Sequence, residues 1–421
     1  MIVELINTGS ELMLGRVLNT HQQWLCRRLA DAGYVVSRQV AVPDTATDIQ
    51  QAVREGLTRA NLLITTGGLG PTSDDLTRDL IANLLHRPLR ENTGVLEQIS
   101  RFFASRNRPM PVRTRVQAMV PEGAVVLANP NGTAPGLAID VAPNPFRPGG
   151  GKSLIVMLPG PPRELHPMFM DTVLPLLRQT LPAEAFVCRT LRSTGIGESV
   201  VEEMLSRPLN SLLNQGLEIG YCARPGQVDV RLTARGAEAE SLVSQASRMT
   251  VEILGSSCYG EEDEELEFAV VRLLKDRGQT VAVAESCTGG LVAHKLTNVP
   301  GASAVLTAGV VSYSNEAKTC FLGVPQEILA ANGAVSKVVA GLMAEGVRTR
   351  TDSDYGLGIT GIAGPSGGTT EKPVGTVFIG LATESGTTIA KHHNPLDRES
   401  FKQLTSQQAM EMLRRAILKP A

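Results

Sequence analysis

The stretch that decides the fold of its region is residues 281–290, Val-Ala-Val-Ala-Glu-Ser-Cys-Thr-Gly-Gly. An apolar run comes first, small polar residues and two glycines follow, and Leu291–Leu296 then has helical character. This order predicts a buried strand, a tight turn that carries a hydroxyl or thiol nucleophile, and a helix. The N–H groups at the helix start are expected to be free to hold an oxyanion or a phosphate.

A second glycine-rich segment follows at residues 358–368, Gly-Ile-Thr-Gly-Ile-Ala-Gly-Pro-Ser-Gly-Gly. We expect it to form the wall that faces the nucleophile. Together the two segments predict a hydrolase site in the last third of the chain.

The composition is typical of a multidomain protein that lacks the charge of a nucleic-acid binder. At 421 residues the chain is expected to form two or three compact units, and 42% hydrophobic residues suffice for their cores. Lys and Arg total 40 against 42 Asp and Glu, so the net charge of −2 shows no basic surplus. Six scattered cysteines without a CxxC pair argue against a zinc site and a disulfide framework, and for a reducing compartment.

The chain begins with an apolar strand rather than with a basic segment. It also contains no run of 18 or more apolar residues, the length that a membrane-spanning helix needs. We therefore expect no signal peptide, no membrane span and a cytoplasmic location.

Strands and helices alternate along the first part of the chain, which predicts a doubly wound α/β domain with a mostly parallel sheet over residues 1–175. The pattern then changes to that of a small α+β domain over residues 176–257. Strand–helix alternation returns in an α/β domain over residues 258–421. The acidic run Glu261–Glu265 is expected to form a solvated first helical turn at the entry to this third domain.

A serine nucleophile needs a base, and three side chains were weighed for that role. His294 lies well along the predicted helix and is better explained as a surface or packing residue. Tyr313 and Lys318 lie where a strand ends and a helix begins, a position from which side chains reach across the top of a parallel sheet. A desolvated lysine can act as a base in its neutral form, but spacing alone supports a surface lysine equally well. Cys287 is a rival nucleophile, with a small packed residue as the alternative.

Four segments then make a specific resemblance. AESCTGG, GVVSYSNEAK, GITGIAGPSGG and KPVGTVFIG, in this order over about residues 262–416, resemble the C-terminal domain of the competence/damage-inducible CinA family. The resemblance implies a metal-free deamidation of nicotinamide mononucleotide (NMN) to nicotinate mononucleotide and ammonia. It implies that Ser286 is the nucleophile, that Lys318 is its base and that Tyr313 lies close by. The remaining implied positions are Thr288, Gly289 and Gly290 around the oxyanion, Thr360, Gly361 and Gly364 along the nucleotide pocket, and Arg398 for the phosphate. Lys402 stands where the family commonly has a second arginine.

The N-terminal third contains two further motifs, TTGGLGPTSDDLT at residues 65–77 and NPNGTAPG at residues 129–136. A glycine-rich turn permits close approach of the backbone to phosphates, and Asp74 and Asp75 are able to bind a hard divalent cation. A helix N-cap explains the two aspartates equally well.

These motifs resemble the molybdopterin-binding, MoaB/MogA-like fold that begins full-length CinA proteins. The resemblance implies an ADP-ribose pyrophosphatase that depends on Mg, Mn or Co, with Glu11, Asp74 and Asp75 at the metal and Gly67, Gly68 and Gly70 as the phosphate cradle. The middle domain resembles a KH-type domain. Because it lacks a basic patch with interleaved aromatics, we expect a spacer or dimerisation role rather than RNA binding. The family also implies a homodimer.

The leading hypothesis is thus a bifunctional hydrolase of pyridine-nucleotide salvage, whose partners are the small nucleotides NMN and ADP-ribose. A molybdopterin-handling enzyme is the second hypothesis. The third is a non-catalytic protein connected with DNA uptake or recombination.

Overall fold

The computed structural model describes residues 1–419, and the chain divides into two compact units. The first comprises Met1–Val187 with Arg235–Ala237, and the second comprises Cys188–Ala234 with the chain from Glu238 onward. Within residues 1–419, no helix is both long enough and apolar enough to cross a membrane.

The first unit is built on a six-stranded sheet. Its strands are β1 Val3–Thr8, β2 Val36–Val42, β3 Leu62–Thr66, β6 Val125–Leu127, β7 Gly136–Val141 and β8 Ser153–Leu158, with β4 Leu89–Glu91 and β5 Met119–Pro121 as a separate pair. Its helices are α1 Ser10–Met13, α2 Thr20–Asp31, α3 Ala46–Leu57, α4 Thr77–Leu84, α5 Thr93–Ala104, α6 Pro162–Met168 and α7 Leu174–Thr180. The strand order is β2-β1-β3-β8-β7-β6, parallel from β2 to β8 and antiparallel at β7 and β6.

The apolar runs of β1 and β3 are fully buried at the centre of this sheet. Two separate apolar clusters lie against the sheet, one of them built with α2 and the other with α3. The predicted mostly parallel, doubly wound sheet is therefore confirmed. Helix α2 begins at Thr20 because the Asn19 side chain accepts a hydrogen bond from the Gln22 N–H at 3.2 Å and caps the helix there.

The second unit contains a small sheet and a large one. The small sheet, of order β10-β11-β9-β12, consists of β9 Phe186–Thr194, β10 Glu218–Arg224, β11 Gln227–Arg235 and β12 Cys258–Glu261, with helices α8 Glu198–Ser206, α9 Asn210–Leu213 and α10 Ala239–Leu254. The large sheet has the order β14-β13-β15-β16-β17, from β13 Val281–Glu285, β14 Leu306–Val311, β15 Tyr355–Gly361, β16 Thr376–Thr383 and β17 Gly386–His393. Its helices are α11 Leu266–Arg277, α12 Leu291–Thr297, α13 Asn315–Leu322, α14 Gln326–Asn332, α15 Lys337–Thr351 and α16 Arg398–Leu418.

Strand β13 runs parallel to both of its neighbours, β14 and β15. The carboxyl ends of the three strands therefore meet at one edge of the large sheet, where ligands bind in α/β folds. Strands β16 and β17 form an antiparallel pair. The expected α/β fold class of this region is confirmed.

The acidic run Glu261–Glu265 is not helical, so the predicted helical turn is wrong, although Glu261, Glu262 and Asp263 are exposed to solvent. The run extends from the last residue of β12 to the residue before α11, and part of it contacts arginines of the small sheet. Arg192 donates to both carboxylate oxygens of Asp229 at 3.2 and 3.1 Å and to the Glu262 carbonyl, and Arg224 donates to Glu265 at 2.9 Å. These ion pairs join the small sheet to the entry of α11.

We expect Arg192→Met to destabilise the second unit by about 3 kcal/mol, since it removes one of the two arginines that Asp229 and Glu265 share, together with its hydrogen bonds to charged groups. Only 8% of the Arg192 side chain is exposed. At about 2–4 °C per kcal/mol for a unit of this size, the calorimetric transition should fall by about 6–12 °C.

The control is Arg101→Met, since the Arg101–Glu97 pair is 78% and 68% exposed. Exposed pairs contribute about 0–1 kcal/mol. Equal shifts in the two variants would contradict a stabilising role for the Arg192 cluster.

Candidate active sites

Ser286 is the first residue beyond β13, at the edge where the parallel strands end. Its N–H donates to the Ile359 carbonyl on β15 at 3.0 Å, and its own carbonyl accepts from the Gly289 N–H at 3.1 Å. Gly289 and Gly290 have φ values of 65° and 92°, a left-handed backbone that glycine adopts without strain. The paired glycines thus permit the turn that the sequence predicts.

The structure brings Lys318 to Ser286. Helix α13 begins at a Ser314 cap, and it directs the Lys318 Nζ to 3.1 Å from Ser286 Oγ. The same Nζ donates to the carbonyls of Ser312 at 2.8 Å and Tyr313 at 3.3 Å. A neutral amine has two N–H groups and one lone pair. When the amine is protonated, its third N–H donates to Ser286 Oγ; when it is neutral, the two carbonyls take its two N–H groups and its lone pair faces the Ser286 hydroxyl.

Lys318 is only 1% exposed. Burial lowers the pKa of its amine, and the opposing influences of Cys287 and Glu316 are smaller. No carboxylate of residues 1–419 forms an ion pair with it. Its environment therefore favours the neutral form that a general base requires.

The two alternatives weighed from the sequence have unsuitable surroundings. Cys287 packs in the apolar core of the large sheet, and burial raises its pKa to about 12, so a thiolate is disfavoured at neutral pH. His294 is exposed, with its Nε2 3.4 Å from the Asn298 side-chain nitrogen. It therefore has the surface position that its sequence context suggested.

The expectation of free N–H groups at the start of α12 is wrong. The Glu285 carboxylate accepts from Gly290 at 3.0 Å, from Val292 at 3.2 Å and from Ala293 at 2.9 Å. Sequence reasoning misses this role because the apolar run before Glu285 identifies it only as the end of a strand. The signal was available, since an acidic side chain just before a helix is a common N-terminal partner.

Other donors remain around Ser286. The backbone N–H groups of Cys287 and Thr288 donate to no backbone carbonyl and no carboxylate in the described part of the chain. The Thr288 side chain is fully buried, and its Oγ1 has no hydrogen-bond partner among the described residues. The N–H of the residue after a nucleophile is a common oxyanion donor. The Thr288 amide thus remains beside Ser286 as a candidate donor, whereas the Gly289 and Gly290 amides are already occupied.

Arg398, at the start of α16, links two of the predicted positions. Its guanidinium donates to the Tyr313 hydroxyl and to the Gly364 carbonyl, each at 2.9 Å. The Tyr313 side chain is 62% exposed, so it lies at the mouth of the site. Lys402 also reaches this region, with its Nζ 3.7 Å from the position that a Gly289 Cβ would occupy. Two cations of α16 thus lie beside the turn 286–290.

The glycine-rich wall after β15 is tightly packed. The Thr360 hydroxyl donates to the Ala334 carbonyl at 2.9 Å, so this buried side chain is engaged within the protein. A Cβ at Gly361 would lie 2.9 Å from the Thr376 carbonyl oxygen, and one at Gly364 would lie 2.7 Å from Val374. Glycine is needed at both positions because larger residues would displace the wall.

The first unit contains a cleft of about 400 Å³ at the carboxyl ends of β1, β3 and β8. Its lining includes Thr8, Gly9, Gly67, Gly68, Gly70, Gln117 and Pro159–Pro161. Gly67 and Gly68 have φ values of 95° and 67°, and a Cβ at Gly67 would lie 2.7 Å from the Thr8 hydroxyl. The predicted glycine cradle therefore lines this cleft.

The cleft is strongly acidic. Its lining contains the carboxylates of Glu11, Asp44, Asp74, Asp75 and Glu164, and none of its described lining residues is Lys or Arg. Asp75 accepts from the N–H of Thr72 at 2.9 Å and from its hydroxyl at 2.5 Å, and Glu164 accepts from Asn129 at 2.8 Å. Asp44 and Glu164 were not predicted as site residues. The sequence does contain a feature that indicates Glu164 as a site residue, because a Pro-Gly-Pro-Pro turn at the end of β8 precedes it.

The carboxylates of the cleft suit a divalent cation only if a ligand supplies part of its coordination. Within residues 1–419, no three His, Cys, Asp or Glu side chains converge closely enough to hold a metal by themselves. Mg²⁺ is commonly bound by one or two carboxylates together with substrate phosphates. The acidic cleft therefore fits a cation that shares its coordination with a phosphorylated ligand.

Three family models match the chain. The "CinA C-terminal domain" matches residues 263–417, the "Damage-inducible protein CinA KH domain" matches residues 188–260, and the "Probable molybdopterin binding domain" matches residues 4–179.

Similar proteins have the same length. A competence-damage inducible protein of Moorella thermoacetica is 43% identical over 421 residues, 99% of each chain. A CinA-like protein of Akkermansia muciniphila is 43% identical over 409 residues, 97% of this chain and 95% of its own. A crystal structure of a competence/damage inducible protein from Agrobacterium tumefaciens is 39% identical, with a TM-score of 0.35, and the match covers 37% of this chain and 94% of that one. The chain described here therefore belongs to the CinA family, with MoaB/MogA-like, KH and CinA C-terminal domains.

Proposed function

We propose that the C-terminal site is a serine–lysine amidohydrolase that converts NMN to nicotinate mononucleotide and ammonia. The observation that carries the proposal is the buried Lys318 amine, 3.1 Å from Ser286 Oγ and directed by two carbonyls. Serine with lysine is a known nucleophile–base pair for acyl transfer. The family resemblance supports NMN as the amide.

In the proposed reaction, Ser286 Oγ forms a bond to the carboxamide carbon while its proton moves to the Lys318 Nζ. The amides of Cys287 and Thr288 stabilise the oxyanion. Lys318 returns the proton to the departing nitrogen, the C–N bond breaks and ammonia leaves an ester on Ser286. Water then attacks the ester and gives one proton to Lys318, the bond between the acyl carbon and Oγ breaks, and Lys318 returns that proton to Ser286. The carboxylic acid so formed loses its own proton to the released ammonia or to solvent.

The substrate phosphate would be bound by α16. Arg398 and Lys402 place two cations beside the turn, whereas the N–H groups of α12 are already occupied. An arginine supplies paired N–H donors for phosphate, and a lysine supplies a compact charge. This arrangement supports a phosphorylated amide rather than a neutral one.

Ser286→Ala should reduce ammonia release from NMN by about four orders of magnitude or more, as for loss of the nucleophile in serine hydrolases. Cys287→Ala should keep it within about tenfold, because the thiol is buried in the core and the backbone N–H remains. Coupled ammonia detection and separation of the two nucleotides measure both effects. Retained activity in the serine variant with loss in the cysteine variant would identify Cys287 as the nucleophile.

The rate should depend on the protonation of Lys318. Burial lowers its pKa, so the neutral base appears below the ordinary value of 10.5, and kcat/KM should decline with unit slope as the pH falls through the lowered pKa. Lys318→Arg should be inactive at every pH, because arginine stays protonated.

Lys337→Arg, at the exposed start of α15, serves as the control and should keep the wild-type pH profile. A profile that is flat on the acid side, or an active Lys318→Arg enzyme, would rule out Lys318 as the base.

We further propose that the N-terminal cleft is a metal-dependent ADP-ribose pyrophosphatase site. Its five carboxylates and glycine cradle support a ligand whose phosphates arrive with Mg, Mn or Co. Asp75, Asp74 and Glu11 would hold the cation, which when bound neutralises phosphate charge and activates water. The match to a molybdopterin binding domain favours a second candidate, a molybdopterin-related ligand in the same cleft.

Asp75→Asn should lower metal-dependent release of AMP from ADP-ribose by about 10²-fold or more, because the charge is lost while an oxygen remains to accept from Thr72. Asp140→Ala, an exposed carboxylate of β7 that does not line the cleft, is the matched control. AMP is measured chromatographically with each metal and with none. Equal rates in Asp75→Asn and wild type would overturn the metal assignment, and binding of molybdopterin without turnover of ADP-ribose would favour the second candidate.

The middle domain is proposed to act as a spacer rather than as an RNA-binding domain. RNA-binding KH domains clamp the backbone with a GXXG loop. Here the connection between α8 and α9 is Arg207-Pro208-Leu209, without glycine. The cytoplasmic location and the homodimer remain predictions.

A further inference from the structure

Glu285 is a buried carboxylate to which the proposed reaction gives no role. It is the last residue of β13 and directly precedes Ser286, and only 1% of its surface is exposed. No Lys or Arg in the described chain forms an ion pair with it. A buried charge without a counterion needs strong hydrogen bonds, and these come entirely from backbone N–H groups.

The three donors belong to the first turn of α12. One oxygen of Glu285 accepts from Gly290 and Val292, and the other accepts from Ala293. Gly290 has no side chain with which to cap the helix, so the carboxylate of the preceding strand serves as the cap. The partial positive charge of the helix start adds to these hydrogen bonds.

The backbone of Glu285 connects the turn to the base. Its carbonyl accepts from the Ser312 N–H at 2.8 Å, and the Ser312 carbonyl in turn accepts from the Lys318 Nζ at 2.8 Å. One residue thus links the far end of the nucleophile turn, through its side chain, with the strand end that directs the lysine, through its main chain.

We propose that Glu285 is a positioning residue that holds the turn 286–290 in the shape that directs Ser286 toward Lys318. The inference rests on the proposed amidase function. Gly289 and Gly290 give this turn more conformational freedom than any other residue pair would, so its shape needs an anchor. A displacement of the nucleophile by 1 Å costs about 10²-fold in rate.

The same contacts determine where substrate charges are bound. Because Glu285 occupies the N–H groups of Gly290, Val292 and Ala293, the start of α12 offers no donor to an oxyanion or a phosphate. In the proposed reaction, the backbone N–H groups of Cys287 and Thr288 therefore stabilise the oxyanion, and the cations of α16 bind the phosphate. Glu285 therefore also favours the substrate orientation in which the amide lies beside Cys287 and Thr288 and the phosphate lies beside α16.

The test is Glu285→Gln, which keeps the shape of the side chain but turns one acceptor into a donor that faces backbone N–H groups. We expect kcat for NMN to fall by about 10²-fold with KM changed less than about threefold, because binding by α16 is untouched. Hydrogen exchange in the peptide 286–293 should become faster. The matched control is Glu267→Gln, which removes another buried carboxylate that pairs with Lys295 of α12 at 3.5 Å but does not contact the turn.

Three outcomes would overturn the inference. They are a kcat within about threefold of wild type in Glu285→Gln, an equal loss in Glu267→Gln, and a rise in KM without a fall in kcat. The midpoint of thermal unfolding is measured for both variants and compared with the assay temperature. If a variant is unfolded at the assay temperature, its loss of activity comes from unfolding alone, and such a loss would also count against a positioning role.

A second readout separates this inference from the proposed substrate. A fluorophosphonate reacts with an activated serine: the Ser286 Oγ–P bond forms, the P–F bond breaks, fluoride leaves and the proton moves to Lys318. The labelling rate, followed by mass spectrometry of the Ser286 peptide, should fall by about 10²-fold in Glu285→Gln. If wild type is labelled but releases no ammonia from NMN, the proposed substrate fails, and slower labelling of the variant still supports Glu285. An equal labelling rate in the two proteins would overturn the role of Glu285.

Discussion

The contact between the Lys318 amine and the Ser286 hydroxyl depends on removing a lysine from water. A lysine at the surface would be protonated at neutral pH and unable to accept a proton. Here α13 buries the side chain, and two carbonyls at the end of β14 receive its N–H groups. Desolvation lowers the pKa of the amine, and the two carbonyls fix its position 3.1 Å from the Ser286 hydroxyl. The parallel arrangement of β13 and β14 is what brings the two strand ends together.

The candidate sites of the two units differ in the charge of the side chains that surround them. Beside Ser286, the helix start is filled by Glu285, and the positive charge comes from the side chains of Arg398 and Lys402. In the N-terminal cleft the described lining offers five carboxylates and no Lys or Arg, so a phosphorylated ligand requires a cation to accompany it. Both sites lie at the carboxyl ends of parallel strands beside a glycine-rich turn. The same type of fold thus surrounds a glycine-rich turn with cations in one unit and with carboxylates in the other.

Helix α16 connects the small sheet with the proposed phosphate site of the large one. Its first turn carries Arg398, while near its end Arg414 donates to the Ser256 carbonyl and Glu411 binds Arg414 and Arg415. Gly195 has a φ of 71°, a left-handed backbone that favours glycine, and a Cβ there would lie 2.8 Å from the end of the Arg415 side chain. The middle domain thus packs against the helix that presents the cations, which is consistent with a spacer that has a structural task.

The sequence by itself determined the parallel sheets, the strand–turn–helix around Ser286 and the short set of residues near it, because apolar periodicity and paired glycines act locally. It could not decide between Lys318 as a base and Lys318 as a surface residue, because burial is a property of distant segments that pack together. It also assigned the helix-start N–H groups to a ligand, although the neighbouring Glu285 occupies them, and it predicted a helical turn at Glu261–Glu265, where Glu265 instead binds Arg224 of the small sheet. The first of these errors was local, because Glu285 directly precedes the turn. The pairing of Glu265 and the burial of Lys318 depend on segments that are distant in the chain, so only the tertiary structure decides them.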